Sequence, residues 1–122
     1  MEQRVQQWLT ESSGSNAFMT KLKMEENDSR LRFWAKLSSK TVAQVFTLEN
    51  PLRLVIDVYD AVYEGALTLL PVNRFGLKNA RVAQFQFDSP RCITRIVFDL
   101  NAPKYYDLRV DSREIAVSFF KQ

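Results

Sequence analysis

The chain of 122 residues contains no histidine, one cysteine, three glycines and four prolines. Without histidine it lacks the commonest general base, the commonest zinc ligand and the usual partner of a serine or cysteine nucleophile, so most hydrolytic mechanisms are disfavoured. A single cysteine, Cys92, cannot close an internal disulfide. Its alternation with Ile96 and Phe98 assigns it to an inward strand face as a core thiol. No apolar run approaches the roughly 20 residues that a membrane-spanning helix needs. Met1-Glu2-Gln3-Arg4 carries no apolar signal-peptide core, and an envelope location stays open. A Gly-rich phosphate loop, a Cys/His metal spacing and a serine nucleophile elbow are also missing. Seventeen Lys and Arg against fourteen Asp and Glu leave a net charge of +3, interleaved with apolar residues, which does not favour nucleic acid as a partner. These absences lead us to expect no catalytic residue, no metal and no cofactor.

What is present is apolar surface. The chain is 46% hydrophobic, with nine Phe, four Tyr and two Trp, enough for one core in a chain too short for two. Val5, Trp8 and Leu9 fit one face of a short helix, and Ser12-Ser13-Gly14-Ser15-Asn16 reads as a linker, so residues 1–16 are expected to be a tail and residues 17–122 the domain. From Ala17 onward the pattern is period two, the signature of half-buried strands. Phe18, Leu22 and Met24 fall on one side of the first run; Leu31, Phe33, Ala35 and Leu37 point inward in the next, with Arg32, Trp34 and Lys36 outward. Thr41 to Leu48, Leu52 to Val58, Arg81 to Phe87, Cys92 to Leu100, Tyr105 to Val110 and Glu114 to Phe120 continue the series. Glu64 to Leu70 fits either a strand or one helical turn.

The second half repeats the first. Arg32 to Leu37 aligns with Arg95 to Leu100, and Leu54, Ile56 and Val58 align with Ile115, Val117 and Phe119, inward positions agreeing throughout. The expected fold is therefore all-β: a sandwich of two related, mostly antiparallel sheets with an internal pseudo-duplication.

One local pattern, Arg-apolar-Val-apolar-Asp, occurs at Arg53 to Asp57 and again at Arg95 to Asp99, which places Arg, Val and Asp on the face away from the core. Cross-strand ion pairing on a solvated sheet is one explanation, worth less than about 1 kcal/mol per pair. Contact with a polymer rich in amides, hydroxyls and carboxylates is the other, with Arg supplying planar donors. Trp34, between Arg32 and Lys36, is either a platform for a sugar face or covered by the tail. Asp57, Asp60 and Glu64 come with no cleft signal that would make them the paired acids of a glycosidase.

Phe46-Thr-Leu-Glu-Asn-Pro-Leu-Arg-Leu-Val-Ile-Asp-Val58, then Arg81-Val-Ala-Gln-Phe85, then Arg95-Ile-Val-Phe-Asp-Leu100 resembles the AMIN family, over about Ala17 to Phe120. The resemblance implies a β-sandwich and a non-catalytic module that localises a cell-envelope protein, in the periplasm or envelope, to peptidoglycan or to the division or secretion machinery. AMIN domains occur in cell-division amidases and type IV pilus secretins, so an assembly module binding protein neighbours in such a complex is the alternative. The family pattern falls on Asn50, Pro51, Arg53, Asp57, Arg81, Ala83, Gln84, Arg95, Val97 and Asp99. With Trp34 added from the residue reading, the candidate ligand-binding set is Trp34, Asn50, Arg53, Asp57, Arg81, Gln84, Arg95 and Asp99.

Overall fold

The computed structural model describes residues 16–65, 68–86, 91–111 and 113–120. The proposed tail helix lies outside them. The described residues form β1 (Ala17–Met19), β2 (Lys23–Glu26), β3 (Arg30–Lys36), β4 (Val42–Leu48), β5 (Arg53–Tyr59), β6 (Ala61–Tyr63), β7 (Thr68–Arg74), β8 (Leu77–Gln86), β9 (Ile93–Leu100), β10 (Tyr106–Val110) and β11 (Glu114–Phe120), with no helix among them.

The expected all-β sandwich is what forms. A five-stranded sheet, β4-β5-β9-β8-β7, packs on a four-stranded sheet, β10-β11-β3-β2, and every pairing within both is antiparallel. The parallel β1-β6 pair sits beside them. Alternation drives the packing: Leu54, Ile56, Val58, Ile96 and Phe98 of one sheet and Leu31, Phe33, Ile115, Val117 and Phe119 of the other are all buried between the layers. At the centre Phe98 meets Phe33 and Phe119 edge-on, with ring centroids 4.9 Å apart in each pair, contacts worth about 1 kcal/mol each beyond their buried area.

The pseudo-duplication is visible in the register. In the five-stranded sheet Leu54, Ile56 and Val58 face Phe98, Ile96 and Thr94. In the other, Ile115, Val117 and Phe119 face Ala35, Phe33 and Leu31, the same register position by position. Each sheet is a mixture of halves: β4-β5 from the first joins β9-β8 from the second, and β10-β11 from the second joins β3-β2 from the first. Neither half can bury its own apolar face, so the halves exchange hairpins and close one core.

Two details differ from the period-two reading. The first run is broken into β1 and β2, so Phe18 stands outward, 53% exposed, while Ala17 and Met19 are buried against β6. Of the stretch read as strand or helical turn, Glu64 and Gly65 form a bend and Thr68 to Leu70 open β7, while residues 66–67 lie outside the described residues. Cys92 is a buried, unbridged thiol as expected.

Candidate functional site

The two copies of Arg-apolar-Val-apolar-Asp occupy β5 and β9, which are antiparallel neighbours, so each motif reads the other backwards. Arg53 lies opposite Asp99, Val55 opposite Val97 and Asp57 opposite Arg95, all on the outer face of the five-stranded sheet. β4 adds Phe46 beside Val55 and Gln44 beside Asp57, and β8 adds Arg81 beside Val97 and Asn79 beside Asp99. The face is a grid of Arg, Asp and apolar residues built from four strands.

Arg95 is its centre. Its Nε and Nη2 donate to the two carboxylate oxygens of Asp57 at 2.7 and 2.9 Å. Its guanidinium carbon lies 3.6 Å from the centroid of the Phe85 ring and 5.6 Å from that of Phe46, so the plane is held between aromatics. The hydrogen bond to Asp57 raises the pKa of Arg95 against an opposing effect of burial, so the guanidinium keeps its charge. Asp57 is left 6% exposed and Val55 1% exposed, although both point away from the sandwich core.

The remaining charges divide unequally. Arg81 donates to both oxygens of Asp99 at 2.8 and 3.0 Å. Arg53, in register with the same aspartate, instead donates Nε to the carbonyl of Pro51 at 3.0 Å and has no carboxylate partner among the described residues. That bond ties Arg53 to the turn containing exposed Asn50, whose φ of 60° is a left-handed conformation that asparagine tolerates. Two places along, Asn79 lines a depression of about 300 Å3 with Leu69, Pro71, Asn73 and Lys78. Its Oδ1 is buried without a hydrogen-bond partner among the described residues. A buried acceptor in that state favours an incoming N–H or O–H donor.

Of the eight candidate residues, six gather on this face or its rim: Asn50, Arg53, Asp57, Arg81, Arg95 and Asp99. Gln84 faces the other way. Its Oε1 accepts from the Tyr63 N–H at 2.7 Å, and its Nε2 donates to the carbonyls of Ala61, Gln86 and Ile93, so it clamps β6 to the sheet. Trp34 is on the outer face of the four-stranded sheet, across the molecule, with Lys23 Nζ 5.3 Å and the Arg32 guanidinium carbon 5.7 Å from its ring centroid. Phe46, Asn79 and Phe85 join the site without having been singled out. Phe85 was within reach of sequence, because it shares the parity of Arg81 and Ala83 in the quoted motif.

Two of the three carboxylates weighed for acid catalysis are paired with arginines, Asp57 with Arg95 and Asp60 with Arg91 through a 2.9 Å contact, and the third, Glu64, is exposed. Burial raises the Asp60 pKa, opposed by the charge and hydrogen bond of Arg91. Among the described residues no three His, Cys, Asp or Glu come together to hold a metal.

The described residues thus form a two-layer sandwich with a grid of Arg, Asp and apolar side chains on one open sheet face. Residues 21–119 match the AMIN domain family, and the chain belongs to it. This is a non-catalytic family of peptidoglycan-targeting and envelope modules. A search of curated proteins gives no match.

Proposed function

We propose that this domain holds a cell-envelope protein to peptidoglycan through the outer face of the five-stranded sheet, without catalysing a reaction. The observation that carries this reading is the combination, on one face, of a free Arg53 donor group, an unpartnered Asn79 acceptor and exposed Phe85 and Leu69. Peptidoglycan offers what each of these would meet: carboxylates and amides of the stem peptides for Arg53 and Asn79, and apolar sugar faces for the Phe85 ring. The ion pairs Arg95–Asp57 and Arg81–Asp99 form the stiff floor between these groups rather than the contacts themselves. Trp34 and Gln84 fall outside the proposed contact, the first on the other sheet and the second turned inward.

Co-sedimentation with purified sacculi tests this. Arg53→Ala and Phe85→Ala should each reduce the pelleted fraction several-fold, the first with Tm unchanged and the second with a small fall in Tm because it uncovers Arg95, and moderate salt should weaken binding only in part because the apolar contact persists. If the double variant pelleted as the parent does, this face would not be the contact.

A further inference from the structure

On a regular strand, neighbouring residues point to opposite faces of the sheet. β8 departs from that pattern near its start: Leu77 faces Leu100 and Asn79 faces Asp99, so Lys78 is an extra residue with no counterpart on β9. β7 also carries one residue too many at this place, since Pro71 faces Asn79 and Arg74 faces Leu77. Leu77 and Val72 are buried, while Lys78 and Asn73 are exposed, the latter at a φ of 53° that asparagine tolerates. Extra residues in two paired strands bend the sheet locally and re-aim side chains. The product is the depression of about 300 Å3 lined by Leu69, Pro71, Asn73, Lys78 and Asn79.

The lining brings three kinds of group together. Asn79 Oδ1 is buried with no hydrogen-bond partner among the described residues, so it is an acceptor suited to an incoming N–H. Lys78 is exposed, and none of the lining residues is acidic, so the depression offers its ammonium no carboxylate. Leu69, 58% exposed, and Pro71 supply apolar wall. A donor, an anion and a small apolar group within one short unit describe the last residue of a peptide, with its amide N–H, its free carboxylate and its side chain. The acetamido group of a sugar brings an N–H and a methyl but no anion. Lys78 therefore favours the peptide terminus over the sugar.

We propose that this bulged corner binds the free carboxy terminus of a short peptide ending in a small apolar residue. The terminal N–H donates to Asn79 Oδ1, the carboxylate pairs with Lys78, and the side chain lies against Leu69 and Pro71. The inference rests on the reading that this face holds peptidoglycan, and it assigns the corner to the ends of the stem peptides rather than to the glycan. Arg53 stands in the same register row, across Asp99 from Asn79. Two strand spacings separate them, about 10 Å, which is the reach of roughly three extended residues. A stem peptide seated by its end at Asn79 can therefore bring a second carboxylate to Arg53.

The test follows backbone amide shifts of the full chain during three titrations: acetyl-D-alanyl-D-alanine, the same dipeptide amidated at its carboxy terminus, and peptide-free glycan chains. The free acid should shift Leu69, Asn73, Lys78 and Asn79 and bind about tenfold more tightly than the amide. Lys78→Gln should remove that preference. Asn79→Leu should abolish dipeptide binding while holding or raising Tm, because it deletes a buried acceptor that the ligand alone satisfies. Equal binding of acid and amide, a preference that survives Lys78→Gln, or shifts at this corner from the glycan alone would overturn the proposal. Co-sedimentation with sacculi separates it from the reading beneath it. A chain that pellets with sacculi but ignores the dipeptide refutes the terminus site and leaves wall binding standing, whereas dipeptide binding without pelleting keeps the site and refutes the wall as its source.

Discussion

At the scale of single residues, Arg53 and Arg95 look interchangeable in sequence, each opening the same five-residue motif, yet they do different work. Arg95 neutralises an aspartate that is 6% exposed, whereas Arg53 bonds only a turn carbonyl. Truncating Arg95 leaves a buried carboxylate without its donor, so Arg95→Ala should cost about 2 kcal/mol in denaturant unfolding. Arg53→Ala should be within about 0.5 kcal/mol of the parent. Equal effects would mean that the Asp57 pair contributes nothing. The motif could not reveal this, because what separates the two arginines comes from other strands: Phe46 and Phe85 cover Arg95, and Arg81 of β8 takes the Asp99 that Arg53 faces. Asp60 offers a pH test. Its carboxyl is raised by burial in the folded chain, so the protonated form gains stability on folding. That contribution is present at low pH and is lost as pH rises through the folded-state pKa. Nuclear magnetic resonance titration should find Asp60 above the ordinary aspartate range, and an ordinary value would refute the burial.

At the scale of strands, period two was enough to place β3, β5, β9 and β11, because their inward positions are buried, while β4 and β10, at sheet edges, were placed although their inward positions are at most half-buried. It failed at Phe18, where the chain leaves β1 for β2 and the parity resets without a Gly or Pro to mark it. Parity also gives direction and not exposure. Val55 points away from the core as its alternation requires, yet it is 1% exposed, in register with Phe46 of β4 and Val97 of β9. Sequence alone would make Val55→Asp milder than Ile56→Asp. The structure narrows that gap without closing it: Val55→Asp also buries a carboxylate and should cost more than about 1 kcal/mol, but less than Ile56→Asp, because Arg53 stands on the same face while the core offers no cation. A Val55→Asp variant as stable as the parent in its thermal transition would contradict the covered face. Gln84 shows another limit: its parity, opposite to that of Arg81, turns it inward, but gave no sign that β6 would supply backbone groups for it to clamp.

At the scale of the molecule, the repeat was legible as two aligned sets of inward residues, and the register of β5 on β9 matches that of β11 on β3. The exchange of hairpins was not legible, because strands of either half present the same pattern to a partner. It has functional weight: it sets both Arg motifs side by side on one sheet and leaves Trp34, in the aligned half, on the opposite face. The account's central claim is that the Arg-bearing face of the five-stranded sheet contacts the wall polymer, and mapping backbone amide shifts during titration with soluble peptidoglycan fragments tests it most directly. The claim predicts shifts concentrated at Arg53, Asn79, Arg81, Phe85 and Arg95, with β3 and β11 unperturbed. Shifts centred on Trp34 and its neighbours in the four-stranded sheet would contradict it.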